Sequence, residues 1–407
     1  MKCGLLGRKL GHSYSPEIHA QLGSYSYHLF EKEPEELKNF LHNEDFTGLN
    51  VTVPYKKEVI PYLSELSPIA ERLGAVNTII RRADGSLLGH NTDYFGFYSM
   101  AKQSGLMPEG KKCLVLGSGG AAATAVAVLQ EMGAKVVVIS RSGKNNYQNL
   151  HLHRDAAIIV NTTPVGMYPN NGITPISLEP FPNLEGVLDL VYNPARTKLL
   201  LDAEKRGLVA VNGLWMLVAQ AKEASEWFTG NAISDQVIEP IYSKLRRKME
   251  NIILIGMPGC GKSTVARQLG AMLGRKTVDA DQEIEKAAGK TIPEIFAQDG
   301  EESFRQLETQ VLTELGKYSG LIIATGGGCV TRNENYPLLH QNGTIFWLKR
   351  DISQLPTEGR PLSQATKLAE MYRIREPMYC RFSDHIIDNN GDPQAAAAEI
   401  LNILENK

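Results

Sequence analysis

The chain has 407 residues, 43% of them hydrophobic and 22% charged, with 43 Lys and Arg against 45 Asp and Glu for a formal net charge of −2. This length calls for two or three domains, and the composition excludes a disordered chain, a collagen and a small disulfide scaffold. The even charge gives no general attraction to nucleic acid or an anionic membrane, and no apolar run approaches the roughly 20 residues of a membrane span. In chain order, the first chemistry-bearing element is a strand closed by Asn50-Val51-Thr52-Val53-Pro54-Tyr55-Lys56. Two later strands, Ala75–Arg81 and Ser86–Gly89, carry Asn77-Thr78 and run into Asn91-Thr92-Asp93. Polar groups at strand ends converge on a crevice, although any one such Lys, Asn or Asp is more often a solvated or turn residue.

Next comes a strand at Lys112–Leu116, then Gly117-Ser118-Gly119-Gly120-Ala121 and a helix through Ala123, Val126, Ala127 and Leu129 that stops at Gly133. Gly-x-Gly-x-x-Ala between a strand and a helix lets the backbone approach a pyrophosphate held on the helix N-terminus. After the following strand, Lys135–Ser140, an acidic residue would accept a ribose hydroxyl. Arg141 stands there instead, with Lys144 nearby. A guanidinium fork suits a 2′-phosphate, so NADP(H) is expected over NAD, the alternative being a solvated loop arginine. Apolar residues at Ile233, Val237, Ile238, Ile241 and Leu245 predict a helix over 233–248.

A second strand, Asn251–Ile255, feeds Gly256-Met257-Pro258-Gly259-Cys260-Gly261-Lys262-Ser263-Thr264. This is a phosphate-cradling loop: backbone N–H groups surround the phosphates, Lys262 reaches the outer ones and the Ser263 hydroxyl suits Mg²⁺. A domain of this length fits a small-molecule kinase using ATP. After a strand at Lys276–Val278, Asp279 and Asp281 share a face if extended. Asp279 suits the metal and Asp281 an acceptor hydroxyl, unless both only form a turn. Arg305 and Glu308 pair at i and i+3 on a helix. Gly326-Gly327-Gly328 follows the run Leu321–Ala324, where it suits close approach of a ligand. Farther on stand Gly359-Arg360-Pro361-Leu362 and Arg375-Glu376-Pro377-Met378-Tyr379. No period of 20–50 residues repeats. The run Met1–Gly7 is too short in apolar residues for a secretory signal. Five scattered cysteines (Cys3, Cys113, Cys260, Cys329, Cys380) point to reduced thiols and a cytoplasmic location.

Taken together, His12-Ser13-Tyr14-Ser15-Pro16, Asn50–Lys56, Ala75–Thr78, Asn91–Asp93, Asn161-Thr162-Thr163-Pro164-Val165-Gly166-Met167, Asp189-Leu190-Val191-Tyr192-Asn193-Pro194 and Asn212-Gly213 through Gln220 resemble shikimate dehydrogenase over about residues 1–245. The set in 250–407 resembles shikimate kinase. The implied fold is α/β throughout. A substrate-binding domain at 1–100, completed by helices in 213–248, is joined to a doubly wound NADP-binding domain at 101–212. A P-loop domain of nucleoside-monophosphate-kinase type follows at 250–407.

The resemblance implies that Ser13 and Ser15 hold the substrate carboxylate and that Thr52, Asn77 and Gln220 hold its hydroxyls, with Tyr192 beside them. Lys56 and Asp93 form the catalytic pair. Reduction of a ketone leaves negative charge on oxygen, so Lys56 is expected as a protonated donor beside Asp93. Gly117–Ala121, Arg141 and Gly213 would hold NADP(H), with Ser140 in place of the family's Asn. In the kinase part, Asp281 is the base, Arg305, Arg375 and Gly327 hold the acceptor, and Glu308 orients Arg305. Gly259–Thr264 and the lid residue Arg360 hold ATP, and Ser263 and Asp279 hold Mg²⁺. The stretch between Arg360 and Arg375 is short for the family, and Ile352–Glu358 lacks basic residues. The expected function is therefore NADPH-dependent reduction of 3-dehydroshikimate followed by phosphorylation of shikimate, with only small-molecule partners. The rivals are a quinate dehydrogenase fused to a related kinase, and a non-catalytic binder of shikimate and nucleotides.

Overall fold

The structure is a computed structural model and describes residues 1–11, 13–355 and 365–406. His12 and the expected lid residue Arg360, with its neighbours Gly359, Pro361 and Leu362, lie outside the described residues. The chain forms two compact units: Met1–Gly166 with Ile173–Tyr192 and Leu199–Lys244, and Leu245–Lys407 with Met167–Gly172 and Asn193–Lys198. Among the described residues no helix is long and apolar enough to cross a membrane.

The first unit holds two sheets. Strands β1 (Lys2–Gly7), β2 (Ser26–Glu31), β3 (Gly48–Val51), β4 (Glu65–Leu66), β5 (Thr78–Arg81) and β6 (Leu87–His90) pair in the order β2-β1-β3-β5-β6-β4. β1 runs parallel to β2 and β3, whereas β5 is antiparallel to β3 and β6. The second sheet is wholly parallel: β7 (Lys112–Leu116), β8 (Lys135–Ile139), β9 (Ile158–Asn161), β10 (Gly186–Asp189) and β11 (Val209–Val211), ordered β11-β10-β9-β7-β8. A parallel sheet covered on both faces needs continuous apolar strands. Accordingly Leu114 and Leu116 pack in one core, and Cys113 and Val115 in another. The chain passes from β7 outward to β8 and then back to β9, so the strand order reverses beside β7. The carboxyl ends at such a reversal leave a crevice.

Four helices frame this crevice: α1 (Ser15–His19), α2 (Asp93–Gln103), α3 (Gly120–Glu131) and α4 (Leu214–Thr229). α4 lies far along the chain but packs on the first sheet, where Ala224 and Phe228 join Cys3, Tyr25 and Tyr27. The two strands expected at Ala75–Arg81 and Ser86–Gly89 are narrower, at Thr78–Arg81 and Leu87–His90. The helix expected over 233–248 runs instead from Ile238 to Met249, after a 3₁₀ turn at Asp235–Val237. Ser234 caps that turn by accepting from Gln236 N. Pro240 then falls in the first helical turn, where its missing N–H costs nothing.

The second unit is a five-stranded parallel sheet, β12 (Asn251–Ile255), β13 (Thr277–Asp279), β14 (Ile322–Ala324), β15 (Gly343–Lys349) and β16 (His385–Asp388), ordered β13-β14-β12-β15-β16. β12, every residue of it buried, lies at the centre and delivers the phosphate loop to helix α5 (Lys262–Leu273). Helices α6 (Ala280–Ala288), α7 (Gly300–Lys317) and α8 (Ala365–Phe382) carry the acceptor-side residues.

Candidate functional site

A cavity of about 320 Å³ opens at the strand ends of the first unit. Ser13, Ser15, Thr52, Lys56, Asn77, Asp93, Tyr192 and Gln220 all line it, so residues spread over more than 200 positions meet at one place. Most stand at an element end, while Gln220 reaches in from within α4. Ser15 opens α1, Thr52 follows β3, Asn77 precedes β5 and Asp93 begins α2. Lys56 Nζ donates to Asp93 Oδ2 at 2.6 Å, with both side chains largely buried. Asn77 Oδ1 accepts from Thr92 N at 2.7 Å, and Thr92 Oγ1 lies 3.4 Å from Gln220 Oε1. This lining of hydroxyls and amides with one ammonium is suited to a small polyhydroxylated acid with a carbonyl beside Lys56.

Next to β7 a larger cleft of about 630 Å³ is lined by Gly117, Ser118, Gly119, Ser140 and Arg141. At Gly117 the backbone is left-handed (φ 114°), and a Cβ would come within 2.7 Å of Thr162 Oγ1. Only glycine lets the turn lie this close to the next loop. Gly120 begins α3 just behind it. These residues fit a dinucleotide: a tight glycine turn, a helix N-terminus for the pyrophosphate and an arginine at the second strand end. Ala121 and Gly213, expected on the cofactor, line the 320 Å³ cavity. Asn50 in that cavity, and Tyr147, Thr162, Thr163 and Thr174 in the cleft, are lining residues to which the sequence assigned no site role. The signal for Asn50 was present, since it opens the motif that ends in Lys56.

In the second unit a smaller cavity of about 120 Å³ brings together Asp281, Arg305, Glu308, Gly326, Gly327, Gly328 and Arg375. Arg305 Nη1 donates to Glu308 Oε2 at 2.7 Å across one turn of α7, and both side chains are buried. Arg375 Nη1 donates to Gly327 O at 3.1 Å, and the Tyr379 hydroxyl donates to the same oxygen. The glycine triplet is a matter of space. A Cβ on Gly326 would lie 2.6 Å from Asp281 Oδ1 and 2.7 Å from Glu308 Oε1. On Gly327 it would strike Pro258, and on Gly328 the Arg305 guanidinium.

Burial pushes the Asp281 carboxyl above its ordinary range, with Asp279 adding to the effect and Lys262 and Arg305 opposing it. Burial likewise raises Glu308 against the pull of Arg305. Asp279 and Asp281 are not on one extended face. Asp279 ends β13 and caps α6, accepting from Asp281 N, while Asp281 is already helical.

The phosphate loop follows directly. Gly259 and Gly261 are left-handed at φ 82° and 99°, and Cys260 is buried. Lys262 Nζ donates to Gly256 O and Met257 O at 2.9 and 3.0 Å. Ser263 Oγ donates to Asp279 Oδ2 at 2.6 Å, and Thr264 follows in α5. A hydroxyl and a carboxylate adjacent at the loop are hard oxygen donors of the kind Mg²⁺ takes alongside phosphates.

Comparison with known proteins finds family matches in both parts of the chain. Residues 5–79 match the shikimate dehydrogenase substrate binding domain, residues 106–170 an NAD(P)-binding family and residues 258–405 shikimate kinase. The chain is 37% identical over 266 residues to the NADP⁺-dependent shikimate dehydrogenase of Clostridium perfringens (strain SM101), covering 60% of this chain and 97% of that protein. The crystal structure of shikimate dehydrogenase 1 from Peptoclostridium difficile is similar, with a TM-score of 0.56 and 38% identity, over 60% of this chain and 97% of that one. So is a chorismate mutase/shikimate 5-dehydrogenase fusion from Clostridium acetobutylicum, with a TM-score of 0.58 and 36% identity, over 61% and 97%. The chain therefore belongs to the shikimate dehydrogenase family and continues into a shikimate kinase domain, which makes it a bifunctional enzyme of the shikimate pathway.

Proposed function

We propose that the first unit works in the reducing direction, turning 3-dehydroshikimate into shikimate with NADPH, and that the second unit phosphorylates the 3-hydroxyl of shikimate with Mg·ATP. The observation that carries this reading is the Lys56–Asp93 pair, 2.6 Å apart in a cavity otherwise lined by uncharged polar and apolar residues. NADPH supplies a hydride to the carbonyl carbon, and the oxygen gathers negative charge as it becomes a hydroxyl. Lys56 donates a proton to that oxygen, while Asp93 holds the ammonium in place. Ser13 and Ser15 donate to the carboxylate. Thr52, Asn77 and Gln220 orient the ring hydroxyls, and Tyr192 closes one side. Arg141 binds the 2′-phosphate.

In the second unit Arg305 and Arg375 clamp the carboxylate by charge-assisted hydrogen bonds. Asp281 accepts the proton of the acceptor hydroxyl as its oxygen attacks the terminal phosphorus. Lys262 and the loop N–H groups bear the phosphate charge, and Ser263 and Asp279 would hold Mg²⁺, whose part is charge neutralisation. The five cysteines, all free, support a cytoplasmic enzyme. The test is a coupled assay of the full chain with 3-dehydroshikimate, NADPH and ATP. Lys56→Ala should lose roughly 10²–10³ in reduction rate, as for a lost oxyanion donor, and still phosphorylate added shikimate. Near-normal reduction by this variant would remove Lys56 from the chemistry.

A further inference from the structure

The phosphate loop of the second unit is gripped by a side chain to which the reaction above assigns no role. Asn389 follows β16 and is buried. Its backbone N–H donates to Lys349 O at 2.8 Å, at the end of β15, and its Nδ2 donates to Cys260 O inside the loop at 2.6 Å. The two residues are 129 positions apart. They meet because β15 alone lies between β16 and β12, the strand that delivers the loop. The same amide explains the glycine at 261. A Cβ there would lie 2.8 Å from Asn389 Nδ2, and the backbone is left-handed at φ 99°, so both the space and the conformation call for glycine.

We propose that Asn389 is a positioning residue for the nucleotide of the kinase reaction, its amide turning the Cys260 carbonyl inward so that the Gly261 N–H faces the phosphates. A peptide group is rigid and planar. The Cys260–Gly261 bond is trans, so its C=O and N–H point in opposite directions. A carbonyl oxygen held against the buried Asn389 therefore sends the N–H to the other side of the loop. There Gly261 caps α5, and its N–H donates to no backbone carbonyl among the described residues. It joins the first N–H groups of the helix, which have no acceptor within the helix and are the groups that bind an anion. Without the amide, the Cys260 oxygen would be a buried acceptor left unsatisfied. Turning outward to water would relieve that cost and aim a carbonyl oxygen at the phosphates. Simple packing beside Gly261 would need only the volume of the side chain, which leucine also supplies.

Asn389→Leu and Asn389→Ala in the full chain separate the two. The first keeps the volume without the donor, and the second removes the amide without crowding the loop. Titration calorimetry with Mg·ADP and with inorganic tripolyphosphate reads the loop in the absence of turnover. In both variants both dissociation constants should rise about tenfold, the size of one lost hydrogen bond to a charged group, and the KM for ATP should rise with them. The kinase KM for shikimate should stay within about twofold of wild type, and the dehydrogenase reaction should be unchanged. Wild-type affinity for both probes in either folded variant overturns the proposal. So does a loss confined to ADP, which puts Asn389 on the nucleoside, and so does a parallel rise in the shikimate KM, which marks a general loosening. If the leucine variant fails to fold, the alanine variant decides by the same readings.

Discussion

Asp279 and Asp281 have different surroundings because a helix starts between them. Asp279 ends β13, caps α6 and holds the Ser263 hydroxyl, whereas Asp281 sits in the first turn and faces Arg305. Asp281→Asn keeps the size and the hydrogen bond but accepts no proton as a carboxylate does. Kinase turnover should fall by about 10², the lower end for a general base because a loose phosphoryl transition state asks little of it. Both Michaelis constants should change only modestly. A fall in shikimate affinity alone would make Asp281 a binding residue, and a collapse of Mg·ATP affinity would mean that the roles of the two aspartates are exchanged. At the other nucleotide site, Arg141 follows β8 and lines the cofactor cleft beside Ser140 and Tyr147. Arg141→Ala should raise the KM for NADP⁺ and leave that for NAD⁺ nearly unchanged. An equal rise in both would move Arg141 from the 2′-phosphate to the pyrophosphate or to folding.

Helix α7 shows what a three-residue spacing achieves once the helix is buried. Arg305 and Glu308 are neighbours on one face, and both are buried, so the pair is worth far more to keep than an exposed one. Glu308→Ala leaves a buried guanidinium with only the exposed Glu301 carboxylate, 3.3 Å from its Nη2. Thermal unfolding of the second unit should show a loss of about 3 kcal/mol, the cost of breaking a buried ion pair from one side. The shikimate KM of the kinase should rise while the ATP KM holds, because the phosphate loop is built on α5. A shikimate KM at the wild-type value would detach Arg305 from the acceptor. The helix ending at Met249 teaches the converse. Its apolar spacing was legible, but its start was not, since the periodicity continues into Asp235–Val237 while the Ser234 cap and Pro240 set the first α-helical residue at Ile238.

At the scale of the whole molecule, the first unit has two sheets and the second one, and each unit has its own core and nucleotide loop. Expressed apart, 1–248 should keep the dehydrogenase reaction and 249–407 the kinase reaction. The second fragment lacks Met167–Gly172 and Asn193–Lys198, which belong to its compact unit, so calorimetry should show it melting below the full chain. Two soluble but inactive fragments would contradict this division. The sequence by itself determined both nucleotide loops, the strands that lead into them and the Arg305–Glu308 pair. In each of these the chemistry depends on residues within one strand, turn or helix, where spacing along the chain is spacing in space. Only the tertiary structure decided which side of a loop a residue serves. Asp279 becomes a cap because α6 begins at once. It alone revealed Tyr27 and Asn50 as partners. They are 23 residues apart and meet because β1 lies between their strands and sets the register of both, a pairing that no local pattern encodes.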